Sequence, residues 1–506
     1  MNLMTISRDN LKNFFENEKI RSVCVAVMLV SFSAVLTLHL IKPLYDPDFF
    51  WHLKTGFWIW DNKGLPAVDP FSINPQQADS HRTWFILSSY WLFQLVLCAF
   101  YKLGGFNGII FLRFILAGIL IAVFYRFSVR KNILALLAAG IGITQILDSH
   151  FPERPQFISF ICSAILLSLL FTHLRERKKK LLPLMVPLCL TMLVWANSHG
   201  GFLLGLILLA CILLAETVKF IHPRLLPLSG REYAILGTSI SAAILISFVN
   251  PSHIYSLEMV LPAKDANSFI YTSILEFSSL YECFKSAGGY EPIIALCTYI
   301  FAVIVAFQSR DRLNITWLAL IVLLGYMGFS HVRYYPFFLI CVSLFALQYV
   351  DAGKIGKAGK TAVALFFIAV VSTSLAKTPE NLDRVLKYGW VPASYFPVKS
   401  CDYINANGMN GNVFTTLDWG GYVLWRLSPQ QKIYIDGRQL DPSRSWEYFY
   451  NMDNWKKIFD KYDIRVVITP VMDELFKPAS LKQALDADPG WRLVNTGNNG
   501  AVFVRK

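Results

Sequence analysis

Residues 84–103 read WFILSSYWLFQLVLCAFYKL, and whether they cross a membrane decides how the rest of the chain is arranged. The stretch has the length that a membrane span needs, about 20 apolar residues. It also carries Ser88, Ser89 and Gln94, and it is rich in the aromatic residues that collect where a bilayer meets water. The stretch alone therefore leaves two interpretations open, a span and a helix lying in the interface.

The remainder of the chain has the composition of an integral membrane protein. Its 506 residues are 55% hydrophobic and only 16% charged, and their mean hydropathy is +0.45. A soluble chain of this length needs more charge to cover its surface. Apolar runs of spanning length predict about eleven transmembrane helices. The predicted spans are residues 21–41, 107–126, 132–147, 156–173, 181–197, 200–218, 232–249, 291–308, 313–329, 333–350 and 361–377.

Basic clusters between the apolar runs decide between the two interpretations of 84–103. If that stretch does not span, all six clusters lie on one side, as the positive-inside rule requires. If it spans, the first cluster lies opposite the other five. We therefore predict an interfacial helix at 84–103 and a cytoplasmic N-terminus. The clusters are Lys12/Lys19/Arg21, Arg126/Arg130/Lys131, Arg175/Arg177/Lys178/Lys179/Lys180, Lys219/Arg224/Arg231, Arg310/Arg312 and Lys354/Lys357/Lys360.

The net charge of +13 has its explanation in these clusters. Basic residues beside membrane spans set orientation in the bilayer. The charge therefore predicts contact with membrane lipid and no nucleic-acid partner.

Residues 378–506 differ in character from the spans, since they carry charges of both signs and short alternating apolar segments. This pattern predicts a small α/β domain on the outer side. The chain is thus divided into a transmembrane domain over 1–377, with a long first outer loop at 42–106, and an extracytoplasmic domain over 378–506. Predicted strands are 413–415, 432–435 and 465–469, predicted helices are 446–461 and 480–486, and 491–496 with 501–505 forms a closing hairpin.

The first outer loop opens with YDPDFFWH at residues 45–52. Asp46, Asp48 and His52 form a compact acid/base or metal-binding group just after the first span. Pro47 predicts an extended segment, in which both carboxylates point the same way. Loop turns and helix caps are the ordinary alternative for such a cluster.

Four later outer loops add further candidate residues. A His and an Arg at a membrane surface suit a phosphate, because Arg offers forked donors and keeps its charge. An Arg that extends to lipid headgroups is the plainer alternative. Within the spans, Arg113 is the main charge, and intramembrane charge indicates function. The loop candidates are Asp148, Glu153 and Arg154, then His199, then Glu276, then His331 and Arg333.

The outer domain carries two glycine-containing motifs. LDWGGY at 417–422 contributes Asp418 and Tyr422, and its two glycines allow a close backbone approach. YIDGR at 434–438 is equally an ordinary turn.

Together these features resemble the GT-C superfamily of integral membrane glycosyltransferases, which use polyprenyl-phosphate sugars as donors. Protein O-mannosyltransferases, aminoarabinose transferases and oligosaccharyltransferase catalytic subunits belong to it. The likeness rests on the acidic pair after the first span, the stretch 84–103, the loop 148–154 and the outer domain 378–506. LDWGGY is also a loose version of the oligosaccharyltransferase WWDYG motif, from which it departs at Leu417 and Gly421.

The resemblance implies an inverting sugar transfer at the outer face of a bacterial inner membrane. Asp46 or Asp48 would be the general base, with His52 beside them, and Arg154, His331 and Arg333 would face the lipid phosphate. The acceptor is left open as a glycan, a lipid or a protein. A divalent cation, Mg or Mn, held by Asp48 with Asp148 or Glu276 is implied by the oligosaccharyltransferases but not by other branches. The further residues implied to bind substrate are Asp148, Glu153, His199, Glu276, Asp418 and Tyr422.

Two other classes of function remain open at this point. A transporter or flippase of lipid-linked saccharide calls for polar residues at mid-membrane depth, and the spans contain few beyond Arg113. A non-catalytic membrane scaffold calls for acidic and basic loop residues that lie far apart.

Overall fold

The computed structural model describes residues 40–506 except 74–80, 129–132, 151, 178, 261–276, 288–290, 352, 377, 472–478 and 498. Almost all of the first predicted span therefore lies outside the described residues, and so does Glu276. The described helices up to residue 388 are α1 (Pro47–Asn62), α2 (His81–Ser88), α3 (Trp91–Phe127), α4 (Ile133–Ser149), α5 (Gln156–Glu176), α6 (Leu182–Ala196), α7 (Phe202–Val218), α8 (Gly230–Ser247), α9 (Leu280–Ala287), α10 (Glu291–Gln308), α11 (Ile315–Ser330), α12 (Tyr335–Tyr349), α13 (Lys357–Ala376) and α14 (Thr378–Tyr388).

Several of these helices have the composition of membrane spans. Within the described residues, five stretches are long and apolar enough to cross a bilayer, and four further apolar helices are shorter. A helix lies at each of the ten spans predicted between residues 107 and 377. The prediction of a helical polytopic membrane protein is confirmed, while the total of eleven spans stays a prediction. The five long stretches are His81–Phe127, Gln156–Glu176, Phe202–Ile221, Val332–Tyr349 and Gly359–Tyr388.

Helix α3 folds back on itself at Gly104 and Gly105, between the predicted interfacial stretch and the predicted span 107–126. Gly104 has φ −155° and Gly105 has φ +58°, and neither is helical. In a straight helix Phe100 and Gly108 would lie about 12 Å apart. Here a Cβ on Gly108 would come within 2.0 Å of the Phe100 carbonyl oxygen, so only glycine fits. The chain thus contains two helices at this point, while the depth of the first in the membrane stays a prediction.

After residue 388 the chain forms a small α/β unit around a four-stranded sheet of order β1-β2-β4-β3. Strands β1 and β2 are parallel, and the β2–β4 and β4–β3 pairs are antiparallel. The elements are α15 (Val398–Ala406), β1 (Asn412–Thr415), α16 (Leu417–Leu427), α17 (Pro442–Tyr450), α18 (Trp455–Lys461), β2 (Ile464–Pro470), α19 (Ala479–Ala487), β3 (Trp491–Thr496) and β4 (Gly500–Arg505).

Most predicted elements of this unit are present. Strands β1 and β2, helix α19 and the closing hairpin coincide with their predicted segments. The predicted strand 432–435 is wrong, because only Ile433 pairs, through single bridges to Ser72 and Val413. The single predicted helix 446–461 is also wrong. The observed helix α17 ends before Asn451, whose φ of −131° is not helical, and a separate helix, α18, begins at Trp455.

The C-terminal α/β unit packs directly on the first loop, residues 42–106, for both of which an outer position is predicted. In α16, Gly421 lies so close to α1 that a Cβ there would be 2.3 Å from the Pro47 carbonyl oxygen. Phe50 of α1 fills the interface, with its ring centroid 4.9 Å from those of Phe396 and Tyr422. The close backbone approach expected of the glycine pair therefore exists, and it joins the two parts of the chain.

Candidate active site

The acidic pair lies at the N-terminus of α1. Asp46 is the N-cap residue, and its Oδ1 accepts the Asp48 N–H at 3.1 Å. Pro47 occupies the first turn, where its missing N–H has no partner to lose and its fixed φ suits a helix. The prediction of an extended segment was therefore wrong beyond Asp46, since proline restrains only the residue before it.

Arg154, in the loop between α4 and α5, contacts both carboxylates. Its Nε lies 3.0 Å from Asp46 Oδ2, and its Nη2 donates to Asp48 Oδ2 at 2.5 Å. The Asp48 side chain is 23% exposed, whereas that of Asp46 is only 3% exposed. The structure thus brings residues from two predicted outer loops together, and Asp48 is the carboxylate that a substrate can reach.

Burial separates the two acids chemically. Loss of water raises the pKa of Asp46 to about 7, with Arg154 opposing the shift and the charges of Asp48 and Glu153 adding to it. The pKa of Asp46 therefore lies well above that of an ordinary aspartate.

His52 faces the same space from the second turn of α1, but it is buried. The Gln94 Nε2 atom donates to its Nδ1 at 3.1 Å. Burial holds the pKa of His52 well below its usual range, and the charges of Arg154, His199 and Arg438 lower it further. His52 is accordingly a neutral ring that packs in the wall of the site.

His199, in the loop between α6 and α7, is a neutral ring whose single proton can be placed from the hydrogen bonds around it. Its Nδ1 accepts the Gly201 N–H at 3.0 Å and lies 2.7 Å from the Ser159 hydroxyl. The Trp195 indole donates to that hydroxyl oxygen at 2.6 Å, so the Ser159 proton points to His199. Burial and the charges of Arg333 and Arg154 lower the pKa of His199 to about 3. Its single proton therefore lies on Nε2.

Tyr90 lies between the two histidines, and sequence reasoning missed it. Its ring centroid is 5.0 Å from that of His52 and 5.7 Å from that of His199. Tyr90 stands within the stretch interpreted as an interfacial helix. No local pattern distinguishes it from the other aromatic residues there.

Three arginines place positive charge around the Tyr90 hydroxyl. Burial raises the pKa of this phenol, while the charges of Arg333, Arg154 and Arg82 act to lower it. Arg333 and Arg82 are half-buried, and the Arg333 guanidinium also lies 4.6 Å from the Phe277 ring centroid. The site therefore combines the half-buried carboxylate of Asp48 with several arginine charges, and such charges suit an anionic ligand.

The two candidates of the LDWGGY motif have different surroundings. Asp418 is half-buried in the first turn of α16, and burial together with the Asp48 charge raises its pKa. Tyr422 is 1% exposed, and its hydroxyl accepts a hydrogen bond of 2.8 Å from Arg426 Nη1. The charge of Asp48 thus acts on Asp418, whereas Tyr422 packs in the interface between α16 and α1.

Glu153 and Arg113 form a fully buried ion pair. The Arg113 Nε and Nη2 atoms donate to the two carboxylate oxygens at 2.9 and 2.6 Å. Its Nη1 donates to the carbonyl oxygens of Leu40 and Lys42 at 2.7 and 2.8 Å. Both side chains have 0% exposure. Glu153 and Arg113 thus pair with each other away from solvent, and the substrate-binding role expected of Glu153 stays a prediction, as does the functional role expected of Arg113.

The remaining candidates lie at the margin of this group or beyond it. Asp148 is half-buried in the last turn of α4, and His331 is exposed at the C-terminus of α11. Glu276 lies outside the described residues.

The side chains do not fit the predicted divalent cation as far as they are described. Among those residues, no three His, Cys, Asp or Glu side chains gather in a metal-binding group. Mg or Mn would need oxygen ligands, but the carboxylates of Asp46 and Asp48 are already in contact with the Arg154 guanidinium. A metal held with Glu276 stays a prediction.

A cavity of about 690 Å³ opens near this group of residues. It lies toward the C-terminal end of α1, and its lining includes Trp91, which follows Tyr90 in the chain, and Asn197, two residues before His199. The volume is in the range of binding pockets for small molecules. Its lining residues are Ile59, Trp60, Lys63, Gly64, Leu65, Trp91, Leu95, Asn197, Val249, Asn250, Pro251 and His253.

No protein-family model and no curated protein sequence matches the chain. Solved structures do match it. The archaeal oligosaccharyltransferase AglB from Archaeoglobus fulgidus aligns with TM-score 0.56 and 11% identity over 90% of this chain and 70% of AglB. ArnT from Cupriavidus metallidurans aligns with TM-score 0.54 and 10% identity over 96% of this chain and 98% of ArnT. The chain has the GT-C fold.

A third GT-C structure also matches, the arabinofuranosyltransferase AftD from Mycobacteria, with TM-score 0.54 and 12% identity. That alignment covers 94% of this chain but only 40% of AftD. The AglB structure is a complex with an inhibitory peptide and a dolichol-phosphate, and the ArnT structure is bound to undecaprenyl phosphate. The predicted resemblance to the GT-C superfamily is therefore confirmed at the level of the fold.

Proposed function

We propose that this protein is a glycosyltransferase of the GT-C type. It moves a sugar from a polyprenyl-phosphate donor to an acceptor at the outer face of the membrane. The observation that carries the proposal is the Asp46–Arg154–Asp48 group at the start of α1, in a site surrounded by further arginine charge. A general base beside arginine side chains suits a reaction that deprotonates an acceptor and releases a phosphate.

Asp48 is the proposed general base. It is the more exposed of the two acids, since Asp46 is 3% exposed and its carboxylate caps the helix. The acceptor O–H or N–H proton passes to Asp48 Oδ2 while the acceptor atom bonds to the anomeric carbon. The bond from that carbon to the phosphate oxygen breaks, and its electron pair leaves with the lipid phosphate. Attack opposite the leaving group inverts the anomeric centre.

Arg154 and Arg333 are the proposed ligands of the leaving phosphate. Arg154 is 24% exposed and contacts Asp48, so an arriving phosphate competes with that carboxylate for the guanidinium. Such an exchange would release Asp48 for proton transfer at the moment when the donor is bound. The Nε2–H of His199 adds a neutral donor that keeps its proton across the physiological pH range.

A polyprenyl-phosphate donor is supported by the lipid phosphates of the AglB and ArnT structures. The cavity lined by Trp60, Trp91 and Leu95 offers apolar walls for part of such a lipid or for the acceptor. The basic clusters support a bacterial inner membrane orientation with the N-terminus inside and residues 378–506 outside. A glycan, a lipid and a protein all remain candidate acceptors.

The test uses the full chain in proteoliposomes with a panel of radiolabelled undecaprenyl-phosphate hexoses, pentoses and amino sugars and with a cell-envelope extract as acceptor. Label transferred to the lipid, glycan and protein fractions is measured. Asp48→Asn should lower the transfer rate by about 100-fold or more. The control is Asp61→Asn, on the same helix but with a side chain 66% exposed, which should transfer at the wild-type rate.

Other outcomes assign the alternatives. A wild-type rate for Asp48→Asn rules out the proposed base. Donor that crosses the bilayer without transfer of its sugar identifies a flippase. If the protein neither transfers sugar nor binds undecaprenyl phosphate, the non-catalytic scaffold is the alternative that remains.

A further inference from the structure

The turn Asp436–Gly437–Arg438 of the outer domain lies against the proposed base. A Cβ added to Gly437 would be 1.9 Å from Asp48 Oδ1 and 3.6 Å from the Trp51 indole nitrogen. No real Cβ comes so close to a carboxylate oxygen that is held in place. The contact therefore requires glycine at 437, for reasons of space.

Arg438 holds this turn in position. Its Nε and Nη2 donate to the two oxygens of Asp436 at 2.8 Å each. Its Nη1 and Nη2 donate to the two oxygens of Asp69 at 2.7 and 3.2 Å. Asp69 belongs to the first outer loop, so one forked guanidinium joins that loop to the outer domain. All three side chains are at least nine-tenths buried, which strengthens these contacts.

The pKa of Asp436 agrees with a fixed ion pair. Burial acts to raise the pKa of Asp436, but the charge of Arg438 and its hydrogen bonds outweigh burial and leave that pKa below its usual value. Asp436 therefore stays charged opposite Arg438. All three guanidinium nitrogens of Arg438 already donate within the protein, so Arg438 acts by position and not as a ligand.

Asp48 Oδ1 is enclosed by this turn and by Trp51. The Trp51 indole donates to Oδ1 at 3.0 Å, and the Arg438 guanidinium lies 5.9 Å from the Trp51 ring centroid. Oδ2, by contrast, faces Arg154. One oxygen is thus held by the wall of the site, and the other, which Arg154 contacts here, becomes available for a substrate proton once a phosphate engages Arg154.

We infer that the Asp436–Gly437–Arg438 turn is a positioning element which sets the orientation of the Asp48 carboxylate, so that the site is complete only when the outer domain is docked. This inference rests on the proposed role of Asp48 as the base. Gly437 and Arg438 are positioning residues, since neither is placed to touch the substrate. The outer domain is then part of the catalytic unit and not a separate cap.

The experiment compares wild type, Gly437→Ala and Arg438→Lys in the full-length protein. Gly237→Ala is the control, because a Cβ on Gly237 has nothing within 4 Å. In the transfer assay Gly437→Ala should lower kcat by about 10- to 100-fold, because the base moves by a fraction of an ångström or more. KM for the lipid donor and the thermal midpoint in detergent should stay at wild-type values. Arg438→Lys, which loses the fork, should lower kcat in the same way.

A second readout does not depend on activity. Labelling of Asp48 by a water-soluble carbodiimide, located by mass spectrometry, should rise several-fold in Gly437→Ala and Arg438→Lys and stay unchanged in Gly237→Ala. Wild-type kcat and labelling in Gly437→Ala would overturn the inference. A loss of kcat that only follows a lower thermal midpoint would do the same, since it signals a structural role. If even the wild type transfers no sugar, the proposed function fails, and the labelling alone decides whether the turn orients Asp48.

Discussion

Arg154 and Asp48 stand 106 positions apart in the sequence, yet Arg154 Nη2 donates to Asp48 Oδ2 at 2.5 Å. Both side chains are about a quarter exposed, so water screens the pair and its contribution to stability is small. The pair is therefore able to exchange partners. An anionic ligand that binds Arg154 leaves the carboxylate free to accept a proton.

Arg154→Lys tests the fork that reaches both acids. A lysine carries one compact ammonium and cannot present separate nitrogens to Asp46 and Asp48. We expect kcat/KM for sugar transfer to fall by about tenfold or more while thermal stability stays within about 1 kcal/mol of wild type. Arg492→Lys, on an exposed position of β3, is the matched control. Full activity in Arg154→Lys would mean that the fork has no role.

Asp46 makes stability depend on pH in a defined direction. Burial raises its pKa from 3.8 to about 7, so between those values the folded protein binds more protons than the unfolded chain. The free energy of unfolding then falls as pH rises through this window. Asp46→Asn keeps a capping side chain and cannot ionise. We expect its thermal midpoint to match wild type at pH 4 and to exceed it increasingly up to pH 8. A difference that shrinks with rising pH would contradict the shift.

Arg333→Gln tests the phosphate site without knowledge of the sugar. Loss of one charged donor should weaken binding of undecaprenyl phosphate by about tenfold or more, equivalent to ~1.5 kcal/mol. Arg310→Gln, whose arginine is 67% exposed at a predicted cytoplasmic turn, should bind as wild type. Binding is measured by titration of the lipid into protein in nanodiscs. Equal affinities for the two variants would remove Arg333 from the site.

The Arg113–Glu153 pair is expected to act on stability alone. Glu153→Leu leaves a buried guanidinium without its carboxylate and should cost about 3–5 kcal/mol. Arg113→Met combined with Glu153→Leu removes both charges and should recover most of that loss. Unfolding in detergent, followed by thermal scans, measures both. A double variant that is stable but inactive would show that the pair has a role in function after all.

Chelation tests the divalent cation. Because Arg154 supplies the positive charge beside Asp46 and Asp48, we expect the transfer rate in EDTA to stay within about twofold of the untreated rate. Addition of Mg or Mn afterwards should have no further effect. A rate that collapses in EDTA and returns with either metal would establish the cation, with Glu276 as the first ligand to test.

A common side of the membrane for the loops that carry Asp48, Arg154, His199 and Arg333 was predicted from the sequence, because the basic clusters indicate the topology. The contacts among them were not, since they depend on how α1 packs between α3 and α16. Gly437 is an example of a contact that the sequence does not predict. In the sequence it is part of an ordinary turn, and only the packing of the C-terminal unit against α1 places it beside Asp48.

By itself the sequence determined that the chain has the character of a polytopic membrane protein followed by a small α/β unit, and it predicted that this unit lies on the outer side. It could do so because hydrocarbon thickness and the placement of basic residues act on local stretches of chain. Only the tertiary structure decided that Pro47 starts a helix, that Arg113 pairs with Glu153 and that the turn at Gly437 lies against Asp48. These are contacts between distant residues, whose geometry no local pattern encodes.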